Sequence, residues 1–165
     1  MNLPCNALQT TLATYTGQNV GAKKIDRVKT GVKQTILISA LMTLVISGCV
    51  YFLSGRIIHL FGLSQQAAIY CDSHLKTIAL INFVLALYIP LFGLFQGTGH
   101  PILPTCVATC ALNIRVIVVY LLRNSSFLGY RILWWNGLFG FGVGFTITWS
   151  FYLSGRWKPK QKKEV

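Results

Sequence analysis

Arg115 stands inside an apolar run, Ile102 to Leu122, with no acid near it in sequence. A charge in hydrocarbon is costly and marks a functional-site candidate by default. It lies seven residues before Leu122, ~10 Å along a helix. At about 100° per residue, Ala108, Ala111 and Arg115 share one face, and Cys106, Cys110 and Asn113 share another. Small alanines allow close helix contact, so Arg115 is expected to point into a bundle. There it either anchors structure, by packing or by snorkelling its charged end, or lines a cavity or substrate path. Asn82 and Asn113 are uncharged polar residues within apolar runs, and Gln96 sits at an edge. They either hold helices together by hydrogen bonds or line the same cavity. Pro90 removes one rung of the helical ladder in its run and is a hinge candidate, or simply sets the helix's shape.

Other reactive types form no site. His59, His74 and His100 are scattered, and the five cysteines lack the C-x-x-C spacing of a metal site. Cys106 and Cys110 are four apart on one helix face but have no further ligand nearby, so all five are expected as free thiols in apolar settings. No nucleophile–base pair, phosphate-cradling loop or paired carboxylate occurs. An enzyme, a metal site and a bound cofactor are therefore not expected.

These residues sit in a chain written for lipid. Of 165 residues 53% are hydrophobic and 11% charged, with a mean hydropathy of +0.57, whereas soluble domains carry roughly 25% charge. Four runs approach the ~20 apolar residues that cross a bilayer: 34–53, 77–95, 102–122 and 132–153. Unbroken runs of this length predict helices, because barrel strands alternate over about ten residues. The first residues lack a signal-peptide pattern, so the internal spans must direct insertion.

The net charge of +12 comes from 15 Lys and Arg against Asp26, Asp72 and Glu164. Lys23, Lys24, Arg27, Lys29 and Lys33 precede the first run; Arg156, Lys158, Lys160, Lys162 and Lys163 follow the last. Such placement is topogenic and speaks against nucleic-acid binding. Four crossings bring both clusters to one side, which the positive-inside rule makes cytoplasmic. Residues 154–165 then form a basic tail, and Ser54 to Lys76 an outer loop whose IIHLF patch lies at the interface. Trp134, Trp135 and Trp149 fit an interfacial belt. Gly140 and Gly144 form a GxxxG that predicts close helix packing. The segment 5–19 is helix-compatible but rich in hydroxyls and amides, so it lies outside lipid or faces protein or a water-filled cavity.

At Gly17-Gln18-Asn19-Val20-Gly21-Ala22, followed by KKIDRV, the chain resembles a bacterial multidrug and toxic compound extrusion (MATE) transporter. FGLSQQAAIYCDSHLKTIA, LFGLFQGTGHPILP, LNIRVIVVYLL and FYLSGRWKPK continue the likeness in order, from Ala7 to Lys160. The resemblance implies a helix-end motif at Gly17, Gln18, Asn19, Gly21 and Ala22, closing the eighth of twelve helices. The four runs would be the ninth to twelfth.

The implied fold is all-α: a polytopic membrane helix bundle of four complete transmembrane helices plus an N-terminal partial helix, all of 1–165 being a C-terminal lobe fragment. The implied activity is export of cationic or amphipathic compounds in exchange for Na+ or H+, from the bacterial inner membrane, with both ends cytoplasmic. Its partners would be the lipid bilayer and an N-terminal lobe that has no counterpart here. The family's coupling acids lie in that lobe or in the seventh and tenth helices, and no apolar run here carries an acid. The chain is therefore not expected to transport alone. The alternative is a small four-helix membrane protein that assembles with itself or with a partner bundle.

Overall fold

A computed structural model describes residues 2–62, 64–122 and 132–158, with side chains undescribed at 132–134. Five helices follow one another: α1 (Leu3–Gly21), α2 (Ile25–Leu60), α3 (Gln65–Gly97), α4 (Ile102–Leu122) and α5 (Ile132–Leu153). No strand occurs among the described residues. The fold is an all-helical membrane bundle, and α2, α3 and α4 are each long and apolar enough to cross a bilayer. α5 has 22 residues and the same bounds as the fourth apolar run.

Neighbours in the chain run antiparallel, so α1, α3 and α5 share one direction. The contacts fix this register: Ile81 of α3 lies by Gly137, and Tyr88 by Gly144, while Phe95 meets Phe151 edge-on at 5.2 Å. α3 packs against all four other helices. Its close approach to α1 rests on glycine. A Cβ at Gly93 would lie 2.1 Å from the Gln9 carbonyl oxygen, and one at Gly97 would lie 2.5 Å from that of Ala13. This Gly93–Gly97 pair is a GxxxG that the sequence reading passed over. Gly140 and Gly144, which it did single out, also sit at helix contacts, against Arg115 of α4 and Tyr88 of α3.

Two sequence expectations change. Ser54 to Lys76 is not a loop, because α2 continues to Leu60 and α3 begins at Gln65. Gly55 stays helical inside α2, and Gly62, with a φ of +59°, ends it. Asp72 therefore lies on α3, where its carboxylate accepts from Ser54 Oγ of α2 and pairs with Lys76 at 2.6 Å. Trp149, expected in an interfacial belt, turns across the bundle and donates from Nε1 to the Leu87 carbonyl at 3.3 Å. That carbonyl belongs to the turn that Pro90 disturbs. Pro90 is buried in a helix that continues through it.

Ser154 to Lys158 folds back on the bundle. Gly155 takes φ +68°, and Trp157, 2% exposed, joins Leu12, Val28, Val32, Leu91, Leu94 and Phe95 in the buried core. The contact with Val28 and Val32 puts the described part of the second basic cluster beside the first. The rest of that cluster, Lys160 to Lys163, lies outside the described residues.

Gly93→Ala, which must displace α1 backbone, is expected to destabilise the detergent-solubilised bundle by about 1–3 kcal/mol. Gly142→Ala, where a Cβ meets open space, should leave the thermal midpoint unchanged; equal midpoints for both variants would contradict the α1–α3 packing.

Candidate functional site

On α4 the buried positions are Pro104, Val107 and Ala111, spaced three and four apart as one helical face requires. Arg115 continues that stripe and is half-buried. Ala108, expected on this face, is exposed at its edge, and Cys106, Cys110 and Asn113 are exposed on the other side. Arg115 thus points into the bundle, as its spacing predicted, and the helix it meets there is α5.

Three features of α5 hold it. Gly140 leaves room for the stem, since a Cβ there would lie 2.4 Å from Arg115 Cγ. Arg115 Nε donates to Asn136 Oδ1 at 2.8 Å, and the guanidinium carbon stands 5.3 Å from the Phe141 ring centre, within cation–π range. Asn136 is 7% exposed and was missed by sequence reasoning. Its signal was an amide one turn inside a facing span, at the antiparallel level of the arginine. The site opens into a groove of about 660 Å³ lined by Leu112, Asn113, Val116, Val119, Tyr120, Arg115 and Asn136. Asn113 turns its amide to its own helix, donating to the Thr109 carbonyl at 2.9 Å. Asn82 is buried on α3 at 6% exposure and does not line this groove. Pro90 lies elsewhere on α3, so the structure unites only Arg115 and Asn113 of the sequence candidates.

A second surface of different character lies on α1. Asn6, Thr10, Thr11, Thr14 and Gln18 are exposed, whereas Cys5, Leu12 and Thr16 are buried. Thr10, Thr11 and Thr14 each donate to the carbonyl four residues back, so this set of exposed residues is polar and uncharged, with its three hydroxyls satisfied within the helix. The other side is tied to α2, with Cys5 Sγ 3.4 Å from Ser39 Oγ and 3.5 Å from Thr43 Oγ1. The Gly17-Gln18-Asn19-Val20-Gly21-Ala22 segment ends α1. Lys24 N–H donates to the Asn19 carbonyl and Lys23 N–H to that of Val20, the pairing of a Schellman cap. Lys23 fills the left-handed position at φ +57°, where glycine is usual. Beyond the cap, the Lys29 ammonium beside Asp26 holds that carboxyl below its usual range.

All five cysteines are free thiols, and among the described residues no group of His, Cys, Asp or Glu could hold a metal. If the Arg115–Asn136 contact is specific, a double-mutant cycle of Arg115→Met and Asn136→Leu should give a coupling of about 1–3 kcal/mol in thermal unfolding. Additive effects would reduce the contact to coincidence.

Comparison with known proteins identifies a family and a relative. The MatE family model matches residues 2–121. The probable multidrug resistance protein YoeA of Bacillus subtilis (strain 168) is 24% identical over 169 aligned positions, covering 98% of this chain. The chain spans 35% of that relative's length. No solved structure matches. With five helices in the expected order and a family match over most of its length, the chain belongs to the MatE family.

Proposed function

We propose that this chain acts as the C-terminal portion of a multidrug efflux antiporter, exporting cationic or amphipathic compounds in exchange for Na+ or H+. The observation that carries the reading is the exposed face of α1. In a bilayer, a helix face of Asn6, Thr10, Thr11, Thr14 and Gln18 has no reason to meet lipid, where unmatched polar groups are costly. Facing a water-filled path, the same residues offer hydroxyl and amide dipoles without a fixed charge. Such a surface accepts cations of varied shape, because it neither repels them nor demands one geometry.

The coupling chemistry belongs elsewhere. Asp26 and Asp72 are the acids of the described residues; each is paired with a lysine, and neither lies in an apolar run. In this reading a carboxylate that exchanges a proton or holds sodium within the membrane is supplied by the N-terminal lobe or by the family's seventh helix. Both chain ends then face the cytoplasm of a bacterial inner membrane, by the positive-inside rule. The same α1 face supports a second reading, in which a second copy or a partner bundle covers it.

Expressed alone in a strain lacking its own exporters, the chain should leave ethidium retention unchanged; efflux with this chain as sole exporter overturns the partial-transporter reading. With the five native cysteines replaced by serine, a Thr11→Cys variant should give no discrete cross-linked homo-oligomer in membranes, whereas a single stable species favours the self-assembling alternative. For orientation, Lys160→Cys in a background whose five native cysteines are replaced by serine should resist an impermeant thiol reagent added outside intact cells, and rapid labelling would reverse the assigned sidedness.

A further inference from the structure

We propose that the groove between α4 and α5 binds one anionic phospholipid, whose phosphate is held by Arg115 and whose acyl chain lies along Leu112, Val116 and Val119. The inference rests on the membrane bundle and not on the transport reading.

Charge is the first argument. Arg115 sits ~10 Å inside the end of α4 and Asn136 ~6 Å inside the end of α5, by helical rise. A guanidinium at that depth needs an anion or water. Of the chain's three acids, Asp26 and Asp72 pair with Lys29 and Lys76, and Glu164 lies outside the described residues. Asn136 supplies an acceptor dipole but no negative charge.

The second argument is that the cation is placed. Gly140 admits its stem, Asn136 binds Nε, and Phe141 lies near the guanidinium. Arginine carries five N–H donors, and the Asn136 contact uses one. The planar fork that remains matches two oxygens of a phosphodiester. An arginine that merely snorkelled would instead have its stem free to follow the interface.

The groove supplies the rest. Its 660 Å³ lies within the range of small-molecule sites. Its outer wall is exposed and apolar, with Leu112 and Val116 at 59% and 69% exposure. Tyr120 lies one turn beyond Val116 toward the end of α4, at a level where tyrosine favours the membrane interface. The fixed positive charge also excludes the cationic compounds that the α1 face would accept, so the two surfaces serve ligands of opposite sign.

The full chain, purified in a non-ionic detergent, is tested by native mass spectrometry and thermal unfolding with phosphatidylglycerol, phosphatidylcholine, oleate or inorganic phosphate. The wild type should retain one phosphatidylglycerol in preference to phosphatidylcholine and gain thermal stability from it. Arg115→Met should weaken retention about tenfold or more, the loss expected for hydrogen bonds to a charged group. Should that variant not fold, Val116→Trp, which fills the groove from its exposed wall, must give the same loss, while Ile117→Trp, exposed outside the groove lining, must not. Equal retention in the wild type and the folded variants overturns the proposal. So does equal retention of the two phospholipids, or binding of oleate or free phosphate in place of phosphatidylglycerol.

Discussion

Helices in lipid gain little from apolar contact with each other, because the lipid they leave is as apolar as the neighbour they meet. Cohesion must come from close approach and from polar ties, and this bundle uses both around α3. Glycines at 93 and 97 let α1 approach until carbonyl oxygens occupy the space of a side chain. On α5, Gly137 and Gly144 admit Ile81 and Tyr88 of α3. The α2 side uses polarity instead, through Ser54 and Asp72. α4 departs from this pattern: it leans chiefly on α5, and its deepest tie is the Arg115–Asn136 bond.

The end of the bundle that carries the first basic cluster and the described part of the second is built differently. Water is available there, so apolar burial stabilises in the ordinary way. Trp157 closes the core, its Nε1 donating to the Tyr152 carbonyl at 3.1 Å and its ring stacking on Tyr152 at 5.9 Å. Asp26 stands in the first turn of α2, where the helix dipole favours a negative charge. Its depressed pKa has Lys29 as the leading cause, and Lys158 from the other cluster acts in the same direction. Like charges thus gather at one end around a carboxylate that partly offsets them.

The sequence made the start of α4 and the end of α5 legible to the residue, because the apolar runs and the helices share Ile102 and Leu153. It made α2 and α3 too short. Hydropathy detects contact with lipid, whereas a helix persists through polar residues until the backbone leaves helical φ, and α2, which carries Gly55 within it, does so only at Gly62. Arg115 was legible because a charge in an apolar run is rare. Asn136 was not, because an asparagine gains meaning only from what faces it, and that depends on the antiparallel register of α4 and α5. Trp157 was hidden for a similar reason: among lysines and arginines it reads as tail, and only the reversal at Gly155 turns it inward.

Sign of charge separates the two candidate surfaces more sharply than shape does. A path for cations must avoid a fixed cation, since at low dielectric the repulsion is only weakly screened. The α1 face meets that condition, with five exposed polar residues and no charge before Lys23. The α4–α5 groove violates it, and its arginine is held by Gly140 and Asn136 rather than left to drift. A side chain fixed at such cost to the neighbouring helix is better explained by something it holds than by something it lets pass. If α1 faces the path, Arg115 therefore belongs to the surface turned away from transport, where α4 and α5 meet the lipid.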